Sequence, residues 1–165
     1  MPDLNVGRMR IILSAEAAAA FDVLTRSGRD AMLVRQVEQA WPNVFRHSRF
    51  IPAVEYIQAN RARTLAMQQM AALFDTIDVY VAPSFSSNLT LTNLTGHPVL
   101  VMPNGPPRSG RAPSSITFTG DLFGEAELLT VARRVQEATE FHRLHPDVAE
   151  TVARSREADS ADENE

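Results

Sequence analysis

Two short apolar runs, residues 79–82 and 99–102, each stop at a proline, Pro83 and Pro103. Runs this short, β-branched or aliphatic and bounded by turn formers, read as buried strands rather than helices. The proline ring removes a backbone donor, so each strand has to end near that position. Between them lie residues 84–97, rich in Ser, Thr and Asn, which read as a polar loop about as long as the shortest compact crossover. Such a loop between two strands is where α/β proteins place ligand chemistry; an ordinary surface connection is the plainer alternative. The remaining chain reads as packing around this pair.

The 165 residues suffice for one domain with a core, and 44% hydrophobic with 22% charged residues fits a globular protein. A net charge of −4 carries no basic footprint, so nucleic acid and anionic membrane surfaces are not expected partners. No apolar run approaches the roughly 18 residues of a membrane span, and no signal peptide is recognised, so a cytoplasmic location is expected. Cysteine is absent, which excludes disulfides, thiolate metal sites and a cysteine nucleophile. All 16 basic residues are arginine. No lysine within these residues can act as base, Schiff base or phosphate ligand.

Along the chain, residues 8–13 (RMRIIL) alternate and then turn apolar, which suggests a strand. Ser14 then stands where a helix cap belongs, with Glu16 in the first turn, and the alanine-rich run ends at Gly28. Phe21 and Leu24 are expected to face inward. A second helix is expected from Asp30 to Trp41, stopped by Pro42, followed by a helical turn over 43–49. The longest helix should run from Pro52 to about Phe74, with Tyr56, Ala59, Arg63, Ala66, Met70 and Phe74 on one stripe. Residues 104–113 form a Pro/Gly/Arg turn. Residues 114–120 (SSITFTG) alternate as a strand returning antiparallel to 99–102. A second long helix follows from Gly124 to Pro146, burying Leu128, Leu129, Ala132, Val135 and Phe141. From Val148 onward the chain is acidic and is expected to be a disordered tail. The expectation is an α/β fold: a mixed sheet of about four strands flanked by long helices.

The side chains that could carry chemistry each have a plainer reading. His47 lies between two arginines and reads as a surface histidine. His97 precedes Pro98 and reads as a strand-entry residue rather than a general base. Arg63 interrupts an apolar stripe, where it either reaches a substrate carboxylate or ties the helix to a neighbour. Asp75 and Asp78 read as cap and turn residues. His142 and His145 lack a third ligand at a family spacing, so no metal is expected. The sequons at Asn88 and Asn93 read as chance, and the Ser114–Ser115 pair as structural. No nucleophile elbow, phosphate loop, zincin or dinucleotide motif occurs, and no cofactor is expected.

The joint order of segments is more specific than any single one. EYIQANRAR on a long helix, LFDTIDVYVAPS, LTNLTGHPVLVMPNG and APSSITFTGDLFGEAELLTVA resemble the C-terminal third of the amidase signature family. That family includes the amidase components of the glutamyl- and aspartyl-tRNA amidotransferases. The resemblance runs over residues 8–146, so residues 1–147 are expected to be the C-terminal portion of an amidase-like domain and 148–165 the acidic tail. It implies carboxylic amide hydrolysis or transfer by a Ser–cis-Ser–Lys triad with a backbone oxyanion hole. The family's lysine and Gly/Ser-rich segment precede the matched region, and these residues contain neither, so the chain is expected to be a truncated amidase, inactive alone. The resemblance also implies pocket-lining roles for Ser84, Asn93, Thr95 and Gly96, with a small amide bound only together with the N-terminal portion. The alternative is a non-catalytic association module whose exposed apolar faces lead to self-association or a protein partner.

Overall fold

The computed structural model describes residues 5–105 and 114–144. They belong to two compact units: a helical one, Met1–Ile77 with Phe85–Gly96, and a sheet one, Asp78–Ser84 with His97–Glu165.

In the helical unit, the Asn5 side chain accepts the Arg8 backbone N–H at 3.3 Å. This caps a 3-10 turn, Val6–Met9, which leads directly into helix α1 (Arg10–Ala20). The strand expected over residues 8–13 is therefore helix. Met9 and Ile12 are the buried members of RMRIIL, and their spacing of three is that of a helix face, not a pleat. The helix accordingly begins before Ser14. It breaks at Phe21, and α2 (Asp22–Arg26) follows. Gly28 ends this segment as read, in the left-handed region at φ 72°, with its N–H donating to the Thr25 carbonyl at 3.1 Å. Phe21 does not face fully inward. It is 49% exposed and stacks on Phe45 with ring centroids 4.9 Å apart.

The helix expected between Asp30 and Trp41 does not form. A short 3-10 turn, Arg29–Met32, is all that follows Gly28 there, and Met32, Leu33, Val34 and Val37 are exposed. Side chains take over the groups that a helix would use. Gln36 Nε2 donates to the carbonyls of Asp30 at 3.0 Å and Leu33 at 2.7 Å. The Asp30 carboxylate is buried and lies 2.6 Å from Arg46 Nη2. Pro42 does not stop a helix; it sits in the first turn of α3 (Trp41–Ser48), where its missing N–H leaves nothing unbonded. The long helix α4 (Ala53–Phe74) follows the sequence reading, with Ala59, Ala66 and Met70 buried and Asp75 as its C-cap. The fifth helix, α5 (Ser87–Thr95), replaces the polar loop expected over residues 84–97.

In the sheet unit, β1 (Val79–Pro83), β2 (Val99–Pro103) and β3 (Ser115–Gly120) pair in the order β1-β3-β2. Both pairings are antiparallel, with Val79 opposite Gly120 and Met102 opposite Ile116. The antiparallel return of the third strand onto the second is as read. Among the described residues the sheet has three strands and no parallel pair, not the mixed sheet of about four. The fourth was to be residues 8–13, which are helical.

Helix α6 (Glu125–Thr139) covers one face of the sheet. Met102, Phe118, Leu128 and Ala132 form its buried core, with Leu100, Ile116 and Val135 packed against them. Each large side chain buried there is worth roughly 1.5–3 kcal/mol. Gly120 permits the close approach: a Cβ there would lie 3.2 Å from the Leu128 Cβ. Leu129, expected inside, is 56% exposed. Leu128, Ala132 and Val135 already complete the i, i+4, i+7 stripe, and Leu129 lies at its margin. Residues 106–113, His145 and the acidic tail lie outside the described residues. No helix among the described residues is long and apolar enough to cross a membrane.

Candidate functional site

Three of the four candidate residues lie on the last turn of α5 and just past it. Ser86 opens this helix: its hydroxyl accepts the Asn88 backbone N–H at 3.3 Å. Asn88, Leu91, Thr92 and Thr95 are buried, at the i, i+3, i+4, i+7 spacing of one helix face. Threonine disfavours helix interiors because its hydroxyl competes for backbone groups. Here the competition is satisfied inside the helix. Thr92 Oγ1 donates to the Asn88 carbonyl at 3.0 Å, and Thr95 Oγ1 donates to the Leu91 carbonyl at 2.9 Å. Gly96 ends α5 in the left-handed region at φ 84°, with its N–H donating to the Thr92 carbonyl at 2.8 Å.

These contacts separate the roles of the three. Thr95 is buried and spends its proton on the helix. Gly96 supplies backbone geometry. Asn93 is exposed and presents its amide outward. Arg63 is a tie within this unit: its Nε donates to the Leu94 carbonyl at 2.6 Å, fixing α5 to α4. That contact fits the structural reading of Arg63 and occupies the carbonyl end of α5. Asn88 is 4% exposed, so the first sequon is inaccessible in the folded chain.

The fourth candidate, Ser84, belongs to the sheet unit, directly after β1. Its Oγ lies 3.0 Å from Thr117 Oγ1 on β3. Thr117 and Thr119 alternate with Phe118, so the hydroxyls lie on one sheet face and the phenyl ring on the other. Sequence reasoning did not single out Thr117. The alternation in SSITFTG was the available signal, and it marks a strand without saying that one face is polar. The partner of Ser84 is a hydroxyl, which does not take up a proton near neutral pH. This pair offers a hydroxyl donor and acceptor but no base to activate a nucleophile.

His97 stands before β2 and is 5% exposed. Burial pushes its imidazole below the ordinary histidine value, and the Asp121 carboxylate pulls the other way. Continuing the β2–β3 register by two residues places Asp121 across from it. His47 and His142 are exposed. Ser114 Oγ donates to the Asn104 carbonyl at 2.5 Å, a turn contact that agrees with a structural role. Among the described residues no group of three His, Cys, Asp or Glu side chains is placed to hold a metal ion.

The chain is similar to several known proteins. It is 32% identical over 111 residues to a glutamyl-tRNA(Gln) amidotransferase subunit from Chromobacterium violaceum, covering 55% of this chain and 23% of the relative. It is 26% identical over 124 residues to an amidase of Pseudomonas putida, covering 59% and 26%. The same amidotransferase subunit from Thiobacillus denitrificans is 29% identical over 112 residues, covering 56% and 23%. The chain thus spans about a quarter of the length of the curated relatives it matches. No family model matches it.

Proposed function

We propose that these residues, similar to amidase-signature enzymes, form the amide-recognition portion of an amidohydrolase whose catalytic groups lie outside them. The observation that carries this reading is the pairing of two facts. The relatives are an amidase and amidotransferase subunits at 26–32% identity. Yet all 16 basic residues here are arginine. An arginine guanidinium does not lose its proton at physiological pH, so it cannot replace a neutral lysine as the base for a serine hydroxyl.

Ser84 and Asn93 are the side chains able to engage an amide. A hydroxyl held by Thr117 offers either a donor to a carbonyl oxygen or an acceptor to an amide N–H. An exposed carboxamide offers both. Thr95 and Gly96 set the end of α5 that carries Asn93. Chemistry at the carbonyl carbon needs a deprotonated nucleophile and backbone N–H donors aimed at the developing oxyanion. Both belong to the polypeptide outside these residues.

The test is complementation. The 165-residue chain is co-expressed with a segment bearing the lysine and Gly/Ser-rich region of an amidase, and ammonia release from a primary amide is followed. The expected result is hydrolysis only in the mixture, with kcat/KM reduced about tenfold by Ser84→Ala through loss of one substrate hydrogen bond. Wild-type rates from the Ser84→Ala and Asn93→Ala mixtures would remove the recognition role.

A further inference from the structure

Strand β2 is followed by Asn104 and Gly105, the one Asn-Gly pair in the chain. Asn104 is exposed. Its backbone N–H donates to the Ser114 carbonyl at 2.9 Å, and the Ser114 hydroxyl donates back to the Asn104 carbonyl at 2.5 Å. The two residues extend the β2–β3 register one step past Pro103 and Ser115. Gly105 stands at φ 109°, and a Cβ added there would meet nothing within 4 Å.

An asparagine followed by glycine can react with itself. The nitrogen of the next residue attacks the side-chain carbonyl carbon, and a side chain on that residue is what ordinarily obstructs the approach. Glycine has none. The other described asparagines lack this opening, because Val6, Val44, Arg61, Leu89 and Leu94 follow them. The Asn5 side-chain oxygen accepts the Arg8 N–H, the Asn43 and Asn60 amides donate to backbone carbonyls, and Asn88 is buried. Asn93 is exposed, but the nitrogen after it lies inside α5, where N–H groups bond along the helix.

We propose that Asn104 is a self-modification site, converting to aspartyl and isoaspartyl forms, and that Ser114 is the positioning residue that directs the product. The Gly105 nitrogen gives up its proton and bonds to Asn104 Cγ. The Cγ–Nδ2 bond breaks, and ammonia leaves with that proton. The peptide unit is resonance-delocalised, so the charge left on the nitrogen spreads to the Asn104 carbonyl oxygen, to which the Ser114 hydroxyl donates. The product is a five-membered imide with two carbonyl carbons, and water opens it. Addition at Cγ restores the main chain and leaves aspartate. Addition at the main-chain carbonyl leaves isoaspartate, with the chain running through Cβ. The Ser114 hydroxyl polarises this second carbonyl and afterwards bonds the carboxylate it becomes. Nothing is oxidised or reduced, and water is the co-reactant. Either product adds one negative charge at the end of β2. One ammonia leaves per chain, once, on the timescale of storage, so the step is not turnover.

The test is storage of the purified 165-residue protein in heavy-oxygen water at neutral and at alkaline pH. Peptide mapping and an isoaspartyl methyltransferase assay follow. Label should enter at residue 104 before any other described asparagine, and faster at the higher pH, because the nitrogen must first lose its proton. Asn104→Gln, which has to close a six-membered ring instead, should take up no label there over the same period. Ser114→Ala should lower the ratio of isoaspartate to aspartate about threefold, the worth of one ordinary hydrogen bond, and Ser114→Thr should restore it. A turn that merely loosens would change the rate and leave that ratio alone. Earlier labelling at Asn93 or at any other described asparagine would overturn the proposal. So would an unchanged ratio in Ser114→Ala, or a wild type that yields aspartate alone.

Discussion

The two units hold their shape by different means. The sheet unit has large side chains at its centre: Phe118, Met102 and Leu128 packed between three strands and one helix. The helical unit also buries large side chains, Met9, Ile12, Phe45, Leu91 and Leu94, but along its longest helix the buried residues are the small Ala59 and Ala66 with Met70. Small residues bring helix backbones close but bury little apolar area each, and polar ties add to the packing along that helix. Arg63 fastens the end of α5 to α4, and Arg46 neutralises the buried Asp30. Tyr56 donates to Glu16 at 3.0 Å across the same unit. The sheet unit is centred on one apolar cluster, whereas the helical unit adds long-range polar ties to its apolar burial.

This contrast can be broken in four places. Phe118→Ala should be the most damaging change, at about 3–5 kcal/mol, because it empties the centre of the sheet core. Chemical denaturation checks it, and a loss below about 1 kcal/mol would contradict a bulk-specified core. Arg46→Ala should cost about 2–3 kcal/mol by leaving the Asp30 carboxylate buried without its cation. Adding Asp30→Asn should recover part of that loss, which a double-mutant cycle measures. Gly96→Ala should cost about 1–2 kcal/mol, since φ 84° places a Cβ against the carbonyl. An unchanged melting temperature would show that the helix end relaxes freely.

The gentlest effect is acidification. His97 is held neutral because burial lowers its pKa below 6.5, against the pull of Asp121. Above pH 6.5 both folded and unfolded chains carry a neutral ring, and the group contributes no pH dependence. As pH falls from 6.5 towards the lowered folded value, the unfolded chain binds the proton first and stability declines. Stability measured against pH should therefore slope downward below 6.5, and His97→Gln should flatten that slope. An identical slope in the variant would assign it to other groups.

The same division governs how much of the fold was visible in the residues. Strands β1, β2 and β3 were legible because β-branched alternation and proline stops act locally. Helix α4 was legible because its apolar stripe runs for many turns. The misreadings over residues 84–97 and 30–41 fall where polar contacts decide. Residues 84–97 look like a loop by propensity, yet Ser86 as cap, Gly96 as stop and the spacing of 88, 91, 92 and 95 specify a helix. The signal was present, but the Thr and Asn content outweighed it. Residues 30–41 look helical by apolar spacing, yet Gln36 and Arg46 claim the groups a helix would need. A long-range partner such as Arg46 leaves no local trace. Of the candidate site, Asn93, Thr95 and Gly96 do share one helix end. Thr117 became evident only through the strand pairing that sets it beside Ser84.

The central claim is that these 165 residues recognise an amide without cleaving it. Its most direct test is ammonia release from a primary amide incubated with the purified protein alone, resolved across its chromatographic peak. The account predicts a rate indistinguishable from buffer at every fraction. Steady turnover that follows the protein peak and disappears in Ser84→Ala would contradict it.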